Sequence, residues 1–119
     1  MLVVTAESLV RRAPAEVVRE LVRILGTPFV AVLAGVSSTR TVRLWCEGAQ
    51  PPERLDRLRF ALHVAGILLE SEELDVVRTW FGGMNPDLFE ENPLLLLAEG
   101  TEAQQTAVLE AARRYISER

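Results

Sequence analysis

Five of the six consecutive residues from Ser38 to Arg43 carry donors suited to a nucleic-acid groove: Ser38, Thr39, Arg40, Thr41 and Arg43. Hydroxyls and guanidinium groups meet base edges and phosphates, so recognition of a duplex is the chemistry this run can do. Ser37 or Ser38 can cap a helix through its hydroxyl. Behind that cap Val42 and Trp45 fall three apart and can face inward, while Arg40, Thr41 and Arg43 point out. The plainer alternative is a solvated helix face on a module that binds no DNA.

Other chemistries find less support. Cys46 is the single cysteine and His63 the single histidine, so neither has a partner for a disulfide, a zinc site or a nucleophile–base pair. Cys46 reads as a small half-buried residue and His63 as helix surface or packing. The acids Glu72 and Glu73, like Glu90 and Glu91, are neighbours in sequence, and on a helix such pairs diverge instead of converging on one reacting atom. With no glycine-rich phosphate loop and no metal-ligand spacing, the sequence predicts a protein that is not an enzyme and needs no cofactor or metal.

The arginine-bearing run needs helices to hold it. Pro14 opens a helix whose Val17, Val18, Leu21, Val22 and Leu25 form an apolar stripe, and Gly26 ends it. Ala31 and Gly35 lie four apart, where two helices must approach closely. A short helix from about Ala6 to Arg12, behind a Thr5 cap, is a weaker expectation. Charge is divided along the chain: residues 1–60 hold nine Arg against six Asp or Glu, a balance of +3, and residues 61–119 hold four against eleven, a balance of −7. A mildly basic first half suits a local phosphate-contacting face, and the acidic half should turn to something else.

Beyond Gly48, Pro52 is expected to open a long helix from about Glu53 to Glu70 with Leu55, Leu58, Leu62, Ala65 and Leu69 on one stripe and Arg54, Arg57 and Arg59 around its first turns. A stripe about two heptads long is more often core than a dimer seam. Ser71 is read as the cap of the next helix, which carries Val76, Val77, Trp80 and Phe81 and stops at Gly82-Gly83. Asn85-Pro86 makes a turn, Asn92 caps a helix begun by Pro93 and ended by Gly100, and Thr101 with Gln104 forms a capping box for the last helix. The expectation is an all-α protein of six or seven helices, divided into residues 1–70 with the long connecting helix and residues 71–119. No apolar run approaches the roughly 20 residues of a membrane helix and no secretory signal is evident, so a soluble cytoplasmic protein without membrane contact is expected.

The stretch WFGGMNPDLFEENPLLLLAEG followed by VLEAARRYI resembles the toxin-binding domain of the Xre/MbcA/ParS antitoxins. That domain shows an Asn-Pro or Pro-Asn turn, a leucine, a Pro-initiated leucine-rich helix, a glycine and a final amphipathic helix. Asn85, Pro86, Leu88, Pro93, Leu94, Leu97, Gly100, Val108 and Leu109 take those places. An Xre-like helix-turn-helix ahead of it is the family's usual arrangement, so the resemblance covers nearly the whole chain. The chain departs from the pattern at three points. Gly35 to Trp45 spans ten residues where nine is usual, Phe89-Glu90 stands where relatives carry glycines, and the chain ends ISER in place of a glycine.

The resemblance implies an Xre-like helix-turn-helix N-terminal module packed with a small helical toxin-binding C-terminal module. It implies an antitoxin that neutralises a cognate RES-domain, NAD-depleting toxin by covering its active site and represses its own operon by binding operator DNA. A stand-alone helix-turn-helix transcription regulator is the alternative. Helix-turn-helix regulators gain from two-fold symmetry, so a homodimer is expected, through residues 55–69 or the C-terminal helices. Candidate DNA contacts are Ser38, Thr39, Arg40, Thr41 and Arg43. Candidate toxin contacts are Trp80, Phe81, Met84 and Asn85 around the turn, and Arg113, Arg114, Tyr115 and Arg119 near the end. Spacing alone makes Trp80 more a core residue than a contact.

Overall fold

Local punctuation dictates most of the architecture. The computed structural model describes residues 12–118. It is all-helical, with seven α-helices and one 3₁₀ turn among the described residues. The short helix expected near residues 6–12 and the side chain of Arg119 lie outside the described residues.

Helix α1 (Pro14–Leu25) starts at its proline, buries Val17, Val18, Leu21, Ile24 and Leu25, and ends where the Gly26 N–H donates to the Val22 carbonyl. Helix α2 (Thr27–Ala34) is apolar on nearly every side and touches α1 and three later helices, leaving Pro28 and Val32 exposed. It stops in a paired C-terminal motif: Gly35 N–H donates to Val32 at 3.1 Å and Val36 N–H to Ala31 at 3.0 Å. Gly35 has φ +72° there, and a Cβ on it would meet the Arg54 guanidinium at 2.9 Å. Glycine is needed at this position for the left-handed turn and for the room beneath Arg54, not for a helix–helix approach. Helix α3 (Thr39–Cys46) follows, with Ser38 as its N-cap and Val42 and Trp45 buried.

Helix α4 (Leu55–Leu68) runs through the middle and packs against α1, α2 and two of the later helices. It begins three residues after Pro52 because Glu53 and Arg54 form a turn that aims Arg54 across the molecule. The apolar stripe is core, as its length of about two heptads suggests: Leu58, Leu62 and Ala65 are buried, together with Ala61, Val64 and Leu68, while Leu55 and Leu69 are half-buried. Helix α5 (Leu74–Gly82) has Glu73, not Ser71, at its N-cap. Ser71 lies in the turn that closes α4, where its N–H and that of Glu72 both donate to the Leu68 carbonyl. A 3₁₀ turn (Pro86–Leu88), α6 (Pro93–Glu99) and α7 (Glu102–Ser117) complete the chain. Asn92 Oδ1 caps α6 by accepting from Leu95 N–H, and the Thr101–Gln104 capping box is formed in both directions.

Buried residues from every α-helix, from Val17 to Ala112, make one continuous core, so residues 12–70 and 71–118 share it. Arginines bind the helices together. Arg54 donates to Ala98 O at 3.0 Å, and Arg57 donates to Leu97 O at 2.8 Å and Gly100 O at 3.0 Å, all at the C-terminus of α6. Arg78 serves the end of α1 through Ile24 O at 2.7 Å and Arg23 O at 3.0 Å, and Arg19 serves the end of α3 through Cys46 O at 2.7 Å. The final carbonyls of a helix have no intrahelical donor and sit at the negative end of its dipole, so a guanidinium from a distant segment satisfies both needs.

Candidate functional site

Two separate faces gather the residues singled out by sequence. The first is the outer side of α3. Two eight-residue helices, α2 and α3, are joined by the four-residue turn Gly35–Ser38. Ser38 Oγ accepts from the Arg40 N–H at 3.2 Å, which fixes the start of α3. Val42 and Trp45 both face inward and are buried. Ser38, Thr39, Arg40 and Arg43 are exposed and Thr41 is half-buried. Arg40 and Arg43 make no side-chain hydrogen bond or ion pair with another described residue.

Much of the remaining positive charge of residues 12–60 is committed elsewhere. Arg54, Arg57 and Arg59 turn to backbone carbonyls, the last reaching Arg12 O at 3.2 Å. Arg23 pairs with Glu20 on the exposed side of α1, and that hydrogen bond holds the Glu20 carboxyl below its usual pKa. Cys46 is half-buried, and desolvation raises its thiol pKa although Arg19 opposes the shift; it is not an activated nucleophile.

The second face is a cleft of about 260 Å³ between α5, the 3₁₀ turn and α7. Trp80, Met84, Asn85 and Tyr115, all expected at a protein interface, line it together with Asp87 and Glu118. Trp80 is half-buried and stands edge-on to Phe81, with ring centroids 5.4 Å apart and planes at 79°. Phe81 itself is 0% exposed and forms core, where it backs Trp80; its ring offers no surface to a partner. Met84 is 77% exposed. Asn85 organises the loop: its Oδ1 accepts from Asp87 N–H at 2.9 Å, and its backbone carbonyl accepts from Leu88 and Glu90 N–H, each at 2.9 Å. Arg114 forms an ion pair with Asp87 at 3.3 Å, tying α7 to the 3₁₀ turn. Arg113 lies near His63, where it adds to the burial that lowers the histidine pKa.

Sequence reasoning passed over Phe89 as a binding residue. The side chain is 95% exposed, and its backbone is left-handed at φ +57°, followed by Glu90 at φ +66°. An aromatic residue among acids was the available signal. The tertiary roles of Arg19, Arg54, Arg57 and Arg78 were missed as well.

Among the described residues no group of three His, Cys, Asp or Glu is placed to hold a metal ion, and no helix is long and apolar enough to cross a membrane. No protein-family model matches the chain, and no curated protein or solved structure matches it significantly.

Proposed function

We propose that this chain is an antitoxin that neutralises a RES-domain, NAD-depleting toxin by covering its active site, and that it represses its own operon through α3. The observation that carries the reading is the presence on one core of two unlike faces. One is a capped helix presenting Arg40 and Arg43 with Ser38, Thr39 and Thr41; the other is an aromatic cleft with Asp87 and Glu118 on its walls.

For DNA, α3 enters the major groove with its first turn leading. A bidentate arginine–guanine pair contributes about 1–3 kcal/mol of discrimination, and a symmetric dimer sets two such helices roughly 34 Å apart along the duplex. For the toxin, Trp80, Met84 and Tyr115 supply the aromatic and flexible apolar surface that interfaces favour. The carboxylates suit a partner whose cleft is built to receive phosphates.

Co-expression with the protein encoded beside this chain tests the proposal. Relief of growth arrest and co-purification of a complex are expected. A chain that shifts operator DNA yet neither rescues growth nor co-purifies with its neighbour is a stand-alone regulator, the reading that α3 alone favours.

A further inference from the structure

Phe89 is displayed rather than packed. At 95% exposure its ring contributes almost nothing to the core, and it occupies a backbone region that glycine or asparagine ordinarily fills. Two consecutive left-handed residues persist only where their surroundings hold them. Here the loop is closed on itself by Asn85 N–H to Glu91 O at 3.1 Å, Glu90 N–H to Asn85 O at 2.9 Å and Glu91 N–H to Leu88 O at 3.0 Å. Leu88, 4% exposed, pins the loop to the core, and Asn92 Nδ2 ties it to Gly83 O at 3.2 Å. The result is a stiff mount for a solvent-facing aromatic ring, which needs little further ordering on binding.

The charges around the ring select what can meet it. Asp87, Glu90 and Glu91 are all exposed within two residues of Phe89, and since Arg114 pairs with Asp87 at 3.3 Å, the net negative charge of the collar rests with Glu90 and Glu91. This acidic collar repels nucleic acid and anionic lipid, and in a two-fold contact between copies it would face itself. A protein surface with an apolar hollow and a basic rim is complementary to it.

We propose that Phe89 is the anchor by which this chain grips a protein partner, its ring entering an apolar hollow whose basic rim meets Glu90 and Glu91. This rests on the antitoxin reading, in which the partner's cleft accommodates the phosphates of NAD and is therefore basic. Phe89 works beside the Trp80–Tyr115 cleft, on the loop that Met84 and Asn85 begin.

The test uses the full chain and the protein encoded beside it, measured by titration calorimetry, with Phe89→Gly, Phe89→Asn and the double variant Glu90→Lys with Glu91→Lys. Both Phe89 variants should bind about 30-fold more weakly or worse, as loss of an interface anchor does. Their melting temperatures should equal or exceed that of the wild type, because both residues tolerate the left-handed backbone. The charge-reversed variant should also bind more weakly. Unchanged affinity in the Phe89 variants overturns the anchor and leaves the antitoxin reading standing, since the wild type still binds. A wild type that does not bind its neighbour overturns both. A marked drop in melting temperature, or dissociation of a homodimer by Phe89→Gly, overturns the proposal in favour of a structural or self-association role.

Discussion

Replacing Arg57 should loosen the fold and leave the salt dependence of DNA binding alone, and replacing Arg40 with Arg43 should do the reverse. Arg57 donates two hydrogen bonds from one guanidinium, to Leu97 O at 2.8 Å and Gly100 O at 3.0 Å. Hydrogen bonds from a charged group contribute about 1.5–3 kcal/mol each, and the two are not fully additive. Arg57→Ala should therefore destabilise by about 2–4 kcal/mol, which for a chain of this size lowers the melting temperature by about 8–15 °C. Arg57→Lys keeps the charge without the fork and should fall between. Arg40→Ala with Arg43→Ala removes no side-chain hydrogen bond or ion pair with another described residue, and both side chains are exposed, so stability should change by no more than about 0.5 kcal/mol per site. In operator binding measured from low to moderate salt, the same pair should reduce the slope of log affinity against log salt by up to about 2. Urea unfolding followed by tryptophan fluorescence gives the stabilities, and fluorescence anisotropy gives the slopes. If Arg57→Ala unfolds like the wild type, or if the Arg40 and Arg43 pair leaves the slope unchanged while the wild type binds, the division of labour among the arginines is refuted.

Other perturbations have equally definite outcomes. Phe81→Ala should destabilise by about 3–5 kcal/mol as measured by urea unfolding, and should shift the emission of Trp80, which loses its edge-on neighbour. Thr101→Ala removes one arm of the α7 capping box and should lower stability by about 1 kcal/mol in the same assay. Gly35→Ala combines a left-handed backbone with a collision at the Arg54 guanidinium, so its loss of stability should shrink when Arg54→Ala is added; a double-mutant cycle reads that coupling. His63 has its pKa lowered by burial and then by Arg113, so the unfolded chain takes up the proton first as pH falls. The contribution of His63 to stability should accordingly be full above the usual histidine value of 6.5 and decline as the solution is acidified below it. His63→Leu should flatten the fall in melting temperature that begins near pH 6.5, leaving the step below the usual carboxylate value of 4.5, to which the lowered pKa of Glu20 contributes.

Features decided within one turn of helix were legible in the sequence. Pro14, Gly26, Ser38, Asn92, Gly100 and the Thr101–Gln104 pair stand where α1, α3, α6 and α7 begin or end, because a cap acts on backbone groups two to four residues away. Inward and outward positions on α3 follow from the same short-range periodicity. Features decided by long-range packing were not legible. Arg54, Arg57 and Arg78 bond to carbonyls 40 to 55 residues distant, a pairing that no local pattern encodes. Ser71 has the residue type of a cap, yet the closing turn of α4 takes it, and α5 starts only at Leu74. Trp80 and Phe81 are adjacent and equally apolar, and tertiary position alone decides which lines a cleft and which is enclosed. Phe89 escaped because an aromatic residue among acids signals display only weakly, and how little of it the fold covers is decided by tertiary position.

Arg54 joins two parts of the chain that a boundary near residue 70 would separate. Its guanidinium roofs the turn at Gly35 and donates to the α6 carbonyl of Ala98, while α2 lies directly on α6. Severing the polypeptide there would strip donors from one fragment and bare hydrocarbon on the other. The α3 end and the Trp80–Tyr115 end must accordingly be inherited, transplanted or engineered as a single piece, and hybrids stitched from two such halves should fold only when the residue at position 54 and the carbonyl it serves travel together.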